Sequence, residues 1–537
     1  MCRNYFYEKG SDVLKRHIKF LFVTLALFLI CALCAACGEP AESTNQPHQH
    51  ATTAEPVKVV EATCSEAGYT EYLCDTCGET YREEIPLKAH EYGAAEVDRA
   101  TGLEKTVCSG CGDTVIPIKG ADTISFEAKC KGDITLDFEV KGAPAEIEFM
   151  LDDFTMVKKT YEVGTHSATF LRGLDESWYA FSVKQNNADS AVDIRDIQVD
   201  GVVSRKDAVI LEINKKHDTK GTYEDFFVYV KTSDPSGKYY IRYNFIYEYS
   251  TQVLNKANST DNIDAFRVKG AYLVEITKVT ETDVTYNKIM DVLHQGEISF
   301  AAKENGAADF VGGYHGDDNM ISFKLKADGV EYTPGEADIA VVCSTVEIFQ
   351  EAIINRCSQP DVPVIVHTQD YTIDAAGVKT DKSIKWLVDD FNMSGAQSYA
   401  YLQMFTVFRA ACEDIMVLDG NGNNPFATEG ANILEDTDVK VVEENASYAD
   451  KRVLGSKNNR VLKYSSDKTG VSAEIGFEIV DNSCSVRSAE VQLRYRDAKD
   501  NKWYVGFANS DGSTTSVKGN VWKLNTYFDI DYTVPAN

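Results

Sequence analysis

Two pairs of cysteines are the residues of this sequence best suited to chemistry. Cys74-Asp75-Thr76-Cys77-Gly78 and Cys108-Ser109-Gly110-Cys111-Gly112 each place two thiols three positions apart, and the glycine that follows lets backbone amides approach the sulfur atoms. Two such turns supply four thiolates, the donor set of a closed tetrahedral zinc site. The spacing therefore predicts one structural zinc ion, with no open position for catalysis, on Cys74, Cys77, Cys108 and Cys111.

The sequence leaves two alternatives to this ligand set open. A competing set lies within the first copy alone and consists of Cys64, Cys74, Cys77 and His90. Disulfides are the other alternative, because an extracellular compartment permits them. The remaining cysteines after the leader are scattered singly, as buried apolar thiols usually are, although Cys343 and Cys357 could form a bridge.

A second group of polar residues surrounds a glycine-rich turn. Phe310-Val311-Gly312-Gly313-Tyr314-His315-Gly316-Asp317-Asp318 follows strand-like sequence, and its glycines allow a sharp turn that presents polar side chains. His315 could act as a general base beside a carboxylate, or bind a metal with Asp317, Asp318 and His367. The alternative without a catalytic role is a hairpin turn whose Asp side chains accept hydrogen bonds from local backbone amides. The sequence predicts catalytic roles for His315, Asp317, His367, Tyr401 and Arg409, and substrate-binding roles for Arg242, Tyr247, Tyr314 and Asp318.

This combination resembles polysaccharide-degrading enzymes and glycan-binding domains built on β-sandwiches, in which such a turn lines the cleft. The resemblance implies either a glycan-binding surface or a lyase or glycosidase with its site around His315. A tyrosine-rich strand fits both implications, because exposed tyrosines stack on sugar rings, whereas buried ones are simply core. In that strand Tyr239, Tyr243, Tyr247 and Tyr249 share one face and Tyr240 takes the other.

The elements that must position these residues are mostly β-strands. Short segments with period-two alternation, separated by Gly, Asp and Asn turns, predict an all-β protein. We expect a small sandwich over residues 120–202 and a large one over 205–537, with a split near residue 435 as the alternative. A short helix is predicted at Val346–Arg356. The end of the small sandwich, Asp193–Val199, is similar to the last strand of many jelly-roll carbohydrate-binding modules.

Residues 57–118 contain a degenerate repeat in which both copies carry Cys-x-x-Cys-Gly, then an acidic residue and Thr. The first copy, ATCSEAGYTEYLCDTCGETY, resembles repeats of surface proteins from Gram-positive anaerobes. We therefore expect a small zinc-ribbon-like module here, placed before the two sandwiches.

The N-terminal residues predict export and membrane attachment. Lys15, Arg16 and Lys19 precede a short apolar run, and small residues lead to Cys37. This pattern resembles a bacterial lipoprotein signal peptide, which implies cleavage after residue 36 and lipidation of Cys37. An uncleaved anchor helix is the alternative. Residues 37–56 are polar and rich in Pro, Ser and Thr, as expected of a flexible tether.

The charge of the chain limits its partners. The formal net charge is −29, and such a surface repels phosphate backbones, so nucleic acid is not an expected partner. The leading prediction is a lipid-anchored protein on the extracellular face of the membrane that binds glycans. The alternatives are a polysaccharide lyase or glycosidase, and a structural adhesin that binds a protein.

Overall fold

The structure is a computed structural model that describes most of the chain from residue 55 onward. The described residues are 55–74, 78–152, 154–215, 223–250, 263–294, 300–312, 318–357, 359–393, 400–408, 410–412, 414–419, 451–456, 459–482, 490–497, 500–506 and 515–535. Within them every regular element is a strand, which confirms the all-β prediction. No helix in this part of the chain is long and apolar enough to cross a membrane, and the predicted leader and Cys37 lie outside it.

The chain divides into two compact units, Met1–His90 and Glu91–Asn537. The described part of the first contains one antiparallel sheet in the order β1-β2-β3. Its strands are β1 (Lys58–Val60), β2 (Gly68–Leu73) and β3 (Thr80–Ile85).

The second unit begins with an eight-stranded sheet in the order β4-β5-β6-β11-β7-β10-β8-β9. Its long central strands bend at register shifts, as between Thr169 and Ser177 of β10, and one face is lined with aromatic and aliphatic side chains. Phe149 stacks on Phe170 there with ring centroids 4.9 Å apart. The strands are β4 (Glu96–Val97), β5 (Glu104–Val107), β6 (Thr114–Lys119), β7 (Thr123–Lys141), β8 (Ala145–Leu151), β9 (Phe154–Tyr161), β10 (Gly164–Gln185) and β11 (Ala191–Val203).

The remaining strands form one 20-stranded sheet system. They are β12 (Val209–Ile213), β13 (Tyr223–Lys231), β14 (Tyr239–Ser250), β15 (Ile263–Val279), β16 (Val284–His294), β17 (Ala301–Ala302), β18 (Asp318–Ala327), β19 (Val330–Tyr332), β20 (Ile339–Cys343), β21 (Val346–Arg356), β22 (Gln359–Asp374), β23 (Gly377–Trp386), β24 (Ala400–Phe408), β25 (Asp414–Asp419), β26 (Lys451–Ser456), β27 (Asn459–Ser465), β28 (Val471–Asn482), β29 (Glu490–Asp497), β30 (Asp500–Gly506) and β31 (Val521–Tyr532).

The strand pairings separate this system into two layers. Sheet A follows the order β20-β12-β13-β14-β15-β16-β24-β30-β29-β26, and β17 pairs with β24. Sheet B follows β19-β18-β21-β22-β23-β31-β28-β27-β25. A parallel bridge, Asp264 to Asn319, joins them. The layers share one apolar core, and strands late in the chain pair with earlier ones, as β31 does with β23.

Tyrosines of β14 contribute to that core. Tyr243 is fully buried, and its ring lies 6.2 Å from that of Phe528. Tyr239 is half-buried against Tyr532, with centroids 4.9 Å apart. For these two residues the core interpretation of the tyrosine-rich strand is the correct one.

The predicted helix at Val346–Arg356 is wrong, because this segment is strand β21. Its inward positions Val346, Ile348, Gln350, Ala352, Ile354 and Arg356 alternate strictly with outward ones. Strands β18 and β22 pair with it on both sides. Backbone pairing on both edges therefore overrides the helix propensity of Glu, Gln and Ala in this segment.

The suggested bridge between Cys343 and Cys357 is also wrong. Cys343 is a free thiol at the end of β20, and burial raises its pKa to about 12. It behaves as a small apolar core residue, which is the usual role of an isolated cysteine.

Candidate metal centre

The described residues of the two Cys-x-x-Cys-Gly copies make matching backbone hydrogen bonds. In the first, Gly78 N donates to Cys74 O (2.8 Å) and Cys74 N to Glu79 O (2.9 Å). In the second, Gly112 N donates to Cys108 O (2.8 Å) and Cys108 N to Asp113 O (2.8 Å). Both glycines have positive φ, 73° and 76°, a conformation that other residues adopt only with strain. The described residues of the two copies therefore share these hydrogen bonds and the positive φ of the glycine.

Local hydrogen bonds place two further potential ligands. Cys64 lies in a turn closed by Thr63, whose Oγ1 accepts from Glu66 N at 2.9 Å. Lys88 N donates to Thr63 O (3.0 Å), which brings the segment that ends at His90 beside that turn.

The ligand atoms of Cys64, His90, Cys108 and Cys111 all lie within 4.8 Å of one another, so this group could hold a metal ion. Cys108 is buried, at 2% exposure, and its backbone bridges to Tyr92. Sulfur ligands about 2.3 Å from a tetrahedral zinc lie about 3.8 Å apart, so the spacing fits that ion after small adjustments. Three sulfurs and one imidazole are a donor set that zinc accepts.

This group combines parts of both ligand sets considered from the sequence. Cys108 and Cys111 belong to the leading set, and Cys64 and His90 to the competing one. Cys74 is buried, at 1% exposure, but is not a member of the group that the described residues form. Cys77 lies outside the described residues.

Of the predicted catalytic residues, His367 has the most completely described surroundings. It lies on β22 opposite Ile384 of β23, is 4% exposed, and its Nε2 has no hydrogen-bond partner. Burial lowers the pKa of His367 to about 3. The imidazole is therefore neutral at physiological pH and sealed from solvent, which does not suit a base that must reach a polymeric substrate.

The predicted substrate-binding residue Arg242 is held inside sheet A. Its Nε donates to Tyr229 Oη at 3.0 Å, and its guanidinium lies 3.6 Å from the centre of the Phe227 ring. Tyr229 Oη in turn donates to Glu212. Burial raises the pKa of Glu212, although the hydrogen bond from Tyr229 opposes this. Arg242 is 7% exposed and is part of a buried polar network.

Asp318, also predicted to bind substrate, begins strand β18 as part of a buried ion pair. Its Oδ2 lies 3.3 Å from Nη2 of Arg267, and the two side chains are 7% and 4% exposed. The remaining candidates cannot be placed beside them. Tyr401 and Tyr247 lie on β24 and β14, and Tyr314, His315, Asp317 and Arg409 lie outside the described residues.

A polar network that the sequence did not single out covers part of the eight-stranded sheet. Arg195 binds Asp113 (2.9 Å) and Glu139 (2.7 Å), and Tyr92 Oη donates to Asp113 at 2.7 Å. Lys141 binds Asp193 at 2.6 Å. Burial alone would raise the pKa of Glu139, but Arg195 and Lys141 lower it below its usual value. Along their strands these residues alternate with apolar core positions. That alternation is the sequence pattern from which this polar face could have been predicted.

Comparison of the chain with protein-family models gives no match, and neither does comparison with curated proteins.

Proposed function

We propose that this protein is an extracellular, membrane-anchored glycan-binding protein whose N-terminal Cys-rich segment is held by one structural zinc ion. The observation that carries the zinc part is the convergence of Cys64, His90, Cys108 and Cys111. All four positions of a tetrahedral ion are then taken by protein, so the ion stabilises the fold and does not activate water. The extracellular location and the lipid on Cys37 are supported by the signal-like N-terminus.

The glycan-binding part is supported by the polar face of the eight-stranded sheet. Arg195, Glu139 and Lys141 are fixed to one another by charge-assisted hydrogen bonds while remaining 30%, 28% and 43% exposed. Pre-positioned donors and acceptors of this kind match the hydroxyl groups of a sugar with little loss of entropy on binding. Tyr92 adds an aromatic ring beside Lys141, whose Nζ lies 5.8 Å from the ring centre.

Binding at the eight-stranded sheet is favoured over catalysis in the large sandwich because His367, a predicted catalytic residue, and Arg242, a predicted substrate-binding residue, are both internal. His367 and Arg242 are 4% and 7% exposed, so neither forms part of an open cleft. A lyase or glycosidase would have to be built on other residues.

Metal analysis of the purified full chain tests the zinc site. We expect one zinc per chain in protein prepared under reducing conditions, and its loss in Cys64→Ser and Cys111→Ser. Cys130→Ser, which removes a buried thiol elsewhere, is the matched control and should retain zinc. Cys74→Ser separates the ligand sets: retained zinc supports the group seen in the structure, whereas lost zinc would restore the set predicted from spacing. Absence of zinc in the unmodified protein would overturn the site.

Affinity electrophoresis with a panel of soluble polysaccharides tests the glycan-binding face. Arg195→Lys keeps the charge but removes the forked donor geometry, so we expect affinity to fall about tenfold. Arg172→Lys, at an exposed ion pair, is the control and should bind normally. If the protein binds none of the polysaccharides, the adhesin alternative is favoured. If it depolymerises one of them, the lyase or glycosidase alternative is favoured.

A further inference from the structure

A row of buried polar side chains crosses the inner face of sheet B. It contains Gln350 of β21, Gln369 of β22 and Lys382 of β23, which are 5%, 3% and 3% exposed. Gln350 lies directly opposite Gln369, and Gln369 lies directly opposite Lys382. A lysine so deeply buried is rare in proteins, and neither the zinc site nor the glycan-binding face uses it.

The carboxamide of Gln369 is polarised by its neighbours. Its Oε1 accepts from Tyr371 Oη at 3.2 Å and from Gln350 Nε2 at 3.4 Å. Two donors on one carbonyl oxygen stabilise the negative charge that develops there when a nucleophile attacks the carbonyl carbon. Gln350 is itself held in place, because its Oε1 accepts from Phe266 N at 2.7 Å.

Lys382 supplies a nucleophile within reach of that carbon. Side chains directly opposite on paired antiparallel strands have Cβ atoms about 5 Å apart, which the Lys382 side chain can span. Burial lowers the pKa of Lys382 well below its usual range, so the amine is held in the uncharged form that attacks carbonyl groups.

We propose that Lys382 and Gln369 react with each other to form an intramolecular amide cross-link between β22 and β23. Nζ of Lys382 attacks Cδ of Gln369, and the tetrahedral intermediate places its negative charge on Oε1. The Nζ–Cδ bond forms, the Cδ–Nε2 bond breaks, and ammonia leaves. The proton lost by Nζ transfers to the departing nitrogen, which leaves as ammonia. The reaction consumes no oxidant or co-reactant, and the chain loses the mass of one ammonia molecule.

Such a bond would fasten two central strands of sheet B. Strand β22 is held by β21 and β23, and β23 by β22 and β31. A covalent link between them prevents the strands from separating while the surrounding core transiently opens. For a protein exposed to proteases outside the cell, that constraint slows irreversible unfolding.

Tryptic peptide mapping of the purified full chain by mass spectrometry tests the cross-link. We expect a branched peptide that joins residues 357–379 to residues 380–385, with no cleavage after Lys382 and a mass deficit of one ammonia. Recovery of the unmodified peptide 357–379 together with peptide 380–382, and no branched species, would overturn the proposal.

Variants separate the chemistry from effects on folding. Lys382→Met should abolish the branched peptide, whereas Lys523→Met, an exposed lysine on the adjacent strand β31, should leave it unchanged. Because the decisive measurement is made on the unmodified protein, misfolding of a variant does not affect the outcome.

Discussion

At the scale of single residues, burial decides what each polar group does. His367 and Asp318 are residue types common in active sites, yet the former is a neutral imidazole inside the sandwich and the latter half of an internal ion pair. The sequence indicates both by residue type, and Asp318 also by its neighbouring glycines, but accessibility depends on which strands cover them. Burial prevents such groups from contacting an external substrate. Their protonation and pairing then contribute to the stability of the fold.

The lowered pKa of His367 predicts a pH dependence of stability. In the unfolded chain this imidazole takes up a proton near its ordinary value of 6.5, whereas in the folded chain it resists protonation down to about 3. The unfolded state therefore binds more protons between these values, and stability falls as the pH drops from 6.5 toward 3, by up to about 1.4 kcal/mol per pH unit.

Denaturant unfolding at several pH values, compared with that of His367→Gln, checks this slope. Carboxylates contribute equally to both proteins, so the difference between the two curves isolates His367. We expect the variant to lose less stability on acidification. Parallel curves would contradict the assignment of a buried neutral imidazole.

The buried pair of Arg267 and Asp318 gives a second prediction at this scale. Asp318→Asn removes a charge that compensates a buried guanidinium, so the free energy of unfolding should fall by about 3 kcal/mol. Asp200→Asn is the matched control, because its ion pair with Lys131 spans 4.0 Å and both side chains are more than half exposed. That change should alter stability by less than about 0.5 kcal/mol. Equal effects of the two substitutions in urea denaturation would show that burial does not matter here.

At the scale of elements, period-two alternation was the reliable signal and residue propensity was not. Alternation predicts strands such as β31, whose buried positions alternate with more exposed ones. The same alternation is present in Val346–Arg356, which explains why the helix predicted there from its helix-forming residues is wrong. The metal ligands show a different limit: spacing identifies which cysteines share a turn, whereas the partners of that turn depend on long-range placement. Cys64 and His90 could not be ranked above Cys74 from sequence alone.

The turn between β22 and β23 supplies a prediction about elements. Gly377 has φ +100°, and a Cβ there would lie 2.4 Å from Phe528 O on the neighbouring strand β31. Gly377→Ala therefore combines backbone strain with a clash against backbone, and we expect a loss of about 3 kcal/mol. Gly329 is the matched control, because its φ is +81° but no atom lies within 4 Å of the added Cβ.

Gly329→Ala should cost only the strain of a positive φ, about 1–2 kcal/mol. Chemical denaturation of both variants measures the difference. A larger loss for Gly329→Ala than for Gly377→Ala would mean that the close approach of β31 to this turn is wrong.

At the scale of the second unit, the eight-stranded sheet and the large sandwich are held together by Arg99. This side chain is 8% exposed and follows β4, yet it donates to the backbone oxygens of Ala375 and Ile530. It also pairs with Asp529. Burial raises the pKa of Asp529, although the charge of Arg99 opposes this. Sequence patterns predicted both groups of strands but gave no sign of this contact, because its partners lie hundreds of positions away.

Replacing Arg99 should therefore weaken the contact between the eight-stranded sheet and the large sandwich while both remain folded. Arg99→Met leaves two carbonyl oxygens without their donor and the partly exposed carboxylate of Asp529 without its cation, which should cost about 2–3 kcal/mol. Because this contact joins two sheets with separate cores, the loss should appear as reduced cooperativity, with the single calorimetric transition broadening or splitting. Arg172→Met, at an exposed ion pair of 3.8 Å, should leave the transition unchanged. If Arg99→Met lowered the midpoint but kept one sharp transition, other contacts would be sufficient to couple the two sheets, and Arg99 would be one stabilising residue among many.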